Sequence, residues 1–185
     1  MRVLTLPNCF TFLRIILIPC FVLVFYLPFT WAHWLVAGVF LFAAVTDWLD
    51  GYLARVMKQS SAFGAFLDPV ADKLMVAAAL LLLVSQYPSP WMAVAGIVIV
   101  SREILISALR EWMAELGQRA AVKVSMVGKI KTTVQMVSLL ILLSQPPGYS
   151  TVVICGFVLM YLAVILTLWS MVIYLHAAWR VLWQA

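Results

Sequence analysis

Four aspartates stand close together in an otherwise apolar chain: Asp47, Asp50, Asp68 and Asp72. They are four of only seven acidic residues, the others being Glu103, Glu111 and Glu115. Asp47 and Asp50 are three positions apart, and Asp68 and Asp72 are four apart. Both are same-face spacings on a helix. Two antiparallel helices joined by a short loop would bring the four carboxylates to one depth. Carboxylates that close repel one another unless positive charge lies among them. Ion pairing to Arg55, Lys58 and Lys73 balances some of this charge but gives no reason for all four acids to take same-face positions. Bound cations give that reason, and hard carboxylate oxygens suit Mg2+ or Mn2+, ions commonly shared with substrate phosphates. Gly51 follows Asp50 directly, and Gly64 stands four residues before Asp68. Glycine permits close approach of backbone to a ligand, although either residue would equally serve helix packing. Arg55, four residues beyond Gly51, places a guanidinium where it could pair with a phosphate.

The elements that must position these acids are membrane helices. Hydrophobic residues make up 66% of the 185, and charged residues 10%. A soluble domain carries roughly 25% charged residues, so this chain lacks the polar surface that water requires. One membrane domain spanning residues 1–185 is expected, with no polar stretch long enough for a second. A span needs about 20 mostly apolar residues, which predicts six, near 10–27, 33–53, 68–86, 91–113, 126–144 and 150–175. Three turns, near 28–33, 86–90 and 145–150, contain no lysine, arginine or acid and are marked by Pro28, Pro88, Pro90, Pro146, Pro147 and Gly148. The basic residues Arg2, Arg55, Lys58, Arg110, Arg119, Lys123, Lys129, Lys131 and Arg180 lie at the opposite ends of the spans. Basic loops face the cytoplasm, so both termini are expected there, as an even number of spans requires. Membrane orientation and anionic ligands account for the net charge of +5, with no nucleic-acid partner.

The remaining features read as structural. Arg2 and the apolar run 15–24 resemble a secretion signal, but Asn8 and Arg14 interrupt it and no small-residue cleavage site follows, so the segment is taken as a true span. Cys9, Cys20 and Cys155 are scattered, without metal-ligand spacing. His33 and His176 are isolated. Trp31, Trp34, Trp91, Trp179 and Trp183 fit interfacial anchors.

The stretch Asp47-Trp48-Leu49-Asp50-Gly51-Tyr52-Leu53-Ala54-Arg55, eight further residues, then Gly64-Ala65-Phe66-Leu67-Asp68-Pro69-Val70-Ala71-Asp72 resembles the signature of the CDP-alcohol phosphatidyltransferase family, D-x-x-D-G-x-x-A-R-x8-G-x-x-x-D-x-x-x-D. Every fixed position matches. Beyond the signature, the chain is similar to bacterial family members whose acceptor is glycerol 3-phosphate. Pro7-Asn8 with Thr11 and Arg14, the run 63–73, the run 102–112 and the run 128–133 carry that likeness, and the last span carries less of it.

The resemblance implies an all-α integral membrane protein with six transmembrane helices, in the bacterial inner membrane, its site open to the cytoplasm. It implies Asp47, Asp50 and Asp68 as ligands of two Mg2+ or Mn2+ ions, with Asp72 as general base and also in reach of a metal. Gly51, Arg55 and Gly64 would lie along the CDP moiety, with Thr46 nearby. The implied reaction is attack by the 1-hydroxyl of sn-glycerol 3-phosphate on the lipid-bearing phosphorus of CDP-diacylglycerol, releasing CMP and forming phosphatidylglycerol phosphate.

A phosphorylated acceptor calls for further cations. Arg102 lies deep in the fourth span, where an arginine is expensive without a ligand or acid partner. Glu103 is adjacent but about 100° away round a helix. Arg110 lies eight residues on, and Lys129 and Lys131 open the fifth span. Arg102, Arg110, Lys129 and Lys131 are the candidate acceptor-phosphate residues, although the two lysines could instead snorkel to the interface. The basic set favours a phosphorylated acceptor but does not by itself separate glycerol phosphate from inositol phosphate. Serine or phosphatidylglycerol would be other acceptors within the family. A small divalent-cation transporter is the rival of a different class, and the acids gather at one membrane face instead of lining a path across it. Membrane lipid is an expected partner, and a homodimer is left open.

Overall fold

A computed structural model of the chain describes residues 6–57, 62–117 and 126–182. The side chains of Asp50 and Arg55 and the surroundings of Gly51 lie outside the described residues, as do Arg2, Lys58, Arg119, Lys123, Trp183 and the side chain of Arg180. Six helices account for nearly all of what is described: α1 Leu6–Phe25, α2 Ala32–Met57, α3 Ala62–Gln86, α4 Pro90–Glu115, α5 Met126–Leu143 and α6 Thr151–Leu182. The chain divides into two units. One comprises α1, α2, α3 and the end of α5 with the turn after it; the other comprises α4, most of α5, and α6.

In the first unit α1 packs on both α2 and α3. Its buried stripe is Thr11, Arg14 and Phe21, spaced three and seven residues apart as one helix face requires. Phe21 meets Phe40 of α2 with ring centroids 6.1 Å apart. Val36, Ala37, Phe40 and Ala43 form the buried face of α2, and Ala71, Met75, Ala79 and Leu83 that of α3. The alanines at these positions let helices approach closely, the usual packing device where lipid supplies no hydrophobic drive between helices. At the end of α3, Gln86 Nε2 donates to the Gln145 carbonyl at 2.9 Å.

In the second unit α4 packs on α6 through Ile106, Met113, Tyr174 and Ala178. Ser89 caps α4, its Oγ accepting from Met92 N at 3.2 Å, with Pro90 in the first turn, where its missing N–H leaves no bond unmade. Gly117, at φ +73°, ends the helix in the left-handed conformation, and its N–H donates to the Ala114 carbonyl. Ser138 Oγ donates to the Gly156 carbonyl at 2.8 Å, joining α5 to α6.

Large apolar side chains face outward on all six helices, among them Ile16, Leu41, Leu81, Ile97, Val137 and Ile165. Among the described residues, α4 and the stretch Thr151–Trp179 of α6 are long and apolar enough to cross a bilayer, and α1 and α2 contain shorter apolar stretches, Phe10–Phe25 and Ala32–Asp47. The helices outrun the expected spans. α3 begins at Ala62, six residues before the predicted start, and α2 and α6 continue past residues 53 and 175. Hydropathy reports only the part of a helix that suits lipid, so the basic ends of α2 and α6 fall outside such a reading, whereas residues 62–67 of α3 are apolar and too short a run to mark a helix before Asp68. The consequence is that Asp68 and Asp72 lie well inside α3, as Asp47 lies inside α2, and the same-face spacing read from the sequence applies to continuous helices.

Candidate active site

In the first unit, acids from α2 and α3 meet a cation from α1. Arg14 Nη1 lies 2.6 Å from Asp47 Oδ1 and 3.7 Å from Asp68 Oδ1. Thr11, one helical turn before Arg14, donates from Oγ1 to Asp68 Oδ1 at 2.9 Å. One guanidinium nitrogen within reach of two carboxylates places Asp47 and Asp68 together, although α2 and α3 supply one each. Burial is unequal. The Arg14 side chain is 1% exposed, whereas those of Asp47 and Asp68 are 43% and 36% exposed. The cation therefore sits behind the carboxylates, and the carboxylates keep an open edge. Oxygen donors from two helices, aligned from behind and open in front, fit hard divalent cations such as Mg2+ or Mn2+.

Asp72, partly buried, stands one turn beyond Asp68 on α3, and Gly64, also partly buried, one turn before it. Thr46 is buried, with Oγ1 3.0 Å from the Phe42 carbonyl and 2.8 Å from the Ala43 carbonyl, so its hydroxyl bonds to its own helix. Asp50, Gly51 and Arg55 share α2 with Asp47.

The second unit brings two of the four candidate acceptor residues together. Lys131 of α5 forms an ion pair with Glu103 of α4. Arg102 Nη1 lies 3.3 Å from the same Glu103 Oε1. Arg102 Nη2 donates to Ser170 Oγ on α6 at 2.9 Å, and its guanidinium lies 5.6 Å from the Tyr174 ring centroid. The expectation that Glu103 points away from Arg102 is therefore corrected: two long side chains close the angular gap. Arg102 and Lys131 are 7% and 2% exposed, while Glu103 is 25% exposed. Arg110 and Lys129 are exposed. Among the described residues, the buried Arg102 Nε has no hydrogen-bond partner.

Sequence reasoning assigned no role to Arg14, Thr11, Ser170 or Tyr174. A signal was present for the first pair: an arginine inside an apolar span demands an acid partner, with a threonine one turn before it on the same face.

Comparison with known proteins identifies the family. The model of the CDP-alcohol phosphatidyltransferase family matches residues 4–169, and the chain belongs to that family. A Yersinia enterocolitica protein named CDP-diacylglycerol–glycerol-3-phosphate 3-phosphatidyltransferase is 54% identical over 177 residues, covering 96% of each chain. Proteins of the same name from Pectobacterium atrosepticum and Pseudomonas fluorescens are 55% and 53% identical. They cover 94% and 95% of this chain, and 94% and 91% of their own length.

Proposed function

We propose that this protein transfers the phosphatidyl group of CDP-diacylglycerol to the 1-hydroxyl of sn-glycerol 3-phosphate, releasing CMP and forming phosphatidylglycerol phosphate. The observation that carries this reading is the pairing of Asp47 and Asp68 across two helices, inside a complete family signature. Relatives at 53–55% identity over nearly the whole chain bear the name of that activity.

Two Mg2+ or Mn2+ ions, held by Asp47, Asp50 and Asp68 with Asp72 in reach, would supply polarisation of the diphosphate and charge stabilisation at the departing phosphate. The chain's own groups do the rest. Gly51, Arg55 and Gly64 run along the CDP moiety, with Thr46 beside them, and fix the diphosphate's orientation. Asp72 accepts the proton of the attacking hydroxyl. Arg102, Arg110, Lys129 and Lys131 bind the acceptor's phosphate, the exposed Arg110 and Lys129 being the readiest to do so. No covalent intermediate is needed, because phosphoryl transfer depends mostly on positioning and electrostatics. The six helices cross the bacterial inner membrane with both termini and the site on the cytoplasmic side, a topology supported by the neutral turns at one end of the spans and the basic segments at the other.

An acceptor panel tests the reading. Purified protein with Mn2+ and CDP-diacylglycerol should release CMP with glycerol 3-phosphate and far less with serine or inositol phosphate. Equal release with inositol phosphate would overturn the acceptor assignment, and no release with any acceptor would overturn the transferase reading.

A further inference from the structure

From the arrangement behind the two aspartates we infer that Arg14, with Thr11, is the positioning element of the cation site, setting the separation and orientation of the carboxylates of Asp47 and Asp68. The inference rests on the proposed role of those aspartates as metal ligands. Thr11 and Arg14 lie one turn apart on the buried face of α1, 2% and 1% exposed. Phe21, two turns further along that face, anchors α1 against Phe40 of α2. The contacts reach both acids: Arg14 approaches Asp47 and Asp68, and Thr11 bonds to Asp68.

A guanidinium suits this task better than an ammonium. It is planar and presents several donors in a fixed fork, whereas a lysine head is a compact point charge on a flexible stem. Two carboxylates on different helices repel each other, and their separation has to be set against that repulsion. A third helix carrying a rigid cation does so from the buried side and leaves the open edge to the metal. Groups that hold metal ligands in this way commonly change metal affinity by about 10–100-fold when replaced. A guanidinium acting only as counter-charge behaves differently: a lysine would replace it fully, and its removal would strengthen cation binding by relieving repulsion.

The test is Mn2+ affinity, read from the electron paramagnetic resonance of free Mn2+ during titration of EDTA-treated, full-length protein in detergent without substrate. Arg14→Lys, which keeps the charge and loses the fork, should bind Mn2+ about tenfold more weakly. Thr11→Val, which keeps the shape and loses the bond to Asp68, should bind about threefold more weakly, below that range because Arg14 still holds both carboxylates. Their apparent KM for Mn2+ in CMP release should rise in parallel while the KM for glycerol 3-phosphate stays put. Wild-type or tighter affinity in Arg14→Lys overturns the inference. Should that protein fail to fold, unchanged affinity in Thr11→Val overturns it equally. Asp68→Asn separates the two levels. If it binds Mn2+ like wild type, the cation site itself fails and this inference with it. If it loses Mn2+ while Arg14→Lys does not, only the role of Arg14 fails.

Discussion

The two units carry charge clusters of opposite sense. In the first, one cation, Arg14, faces two acids, Asp47 and Asp68. In the second, one acid, Glu103, faces two cations, Arg102 and Lys131. Among these described residues acids outnumber the cation in the first, where divalent cations are expected, and cations outnumber the acid in the second, where a phosphate is expected. They differ as much in burial as in sign. In the first the groups in excess are open and the counter-ion lies behind them. In the second the groups in excess are buried and the counter-ion is the more accessible. The first cluster is arranged to present its charge to a ligand. The second holds three helices together as well, since Arg102 and Glu103 belong to α4, Lys131 to α5 and Ser170 to α6. Replacements in the first should therefore change chemistry, and replacements in the second should change stability along with acceptor binding.

The largest effect expected is that of Asp68→Asn. It keeps the size of the side chain and removes a ligand, so CMP release should fall more than about 10³-fold, beyond the 10–100-fold of groups that only hold ligands, with an unchanged melting temperature. Substantial residual turnover would remove Asp68 from the ligand set. Next is Glu103→Gln, which leaves two buried cations without their acid. Breaking a buried pair from one side costs about 3–5 kcal/mol, and the partial exposure of Glu103 puts this case at the lower end. Thermal unfolding in detergent should show a clear fall, and adding Lys131→Met should recover part of it. An unchanged melting temperature would erase the contrast between the clusters.

Arg110→Ala comes third. A hydrogen bond to a charged group contributes about 1.5–3 kcal/mol, and at an exposed position the lower figure applies. The KM for glycerol 3-phosphate should rise about tenfold, with the KM for CDP-diacylglycerol little changed, and equal effects on both would place Arg110 elsewhere. Smallest is Ser170→Ala, which removes one 2.9 Å bond to Arg102. It should cost about 1 kcal/mol in stability and leave the CDP-lipid KM as it was.

Much of this was legible in the sequence, and the rest was hidden for physical reasons. Acid spacing is a local property of helices, so the placing of Asp47 and Asp50 on one helix and of Asp68 and Asp72 on the next could be read directly. The presence of six helices followed from apolar runs and proline-marked turns. Their ends did not: α2 and α6 run on through the basic residues Arg55 and Arg180, and the apolar residues 62–67 that open α3 are too few to be told from the loop before Asp68. Arg14 was visible as a charge out of place, but its partners lie on other helices, and spacing along one helix says nothing about them. Angular reasoning misjudged Glu103 because it treats side chains as rigid spokes, whereas arginine and glutamate are long enough to cover the difference. Lys131, from a third helix, then completed a cluster that single-helix geometry could not anticipate.

The most direct test of the central claim is a count of bound Mn2+ on wild-type protein and on an Asp47→Asn/Asp68→Asn double variant, each stripped with chelator and each shown by thermal unfolding to be folded. Wild type should bind two ions per chain and restore CMP release on their addition, and the double variant should bind none at the same concentrations. Equal binding by the two proteins would contradict the account.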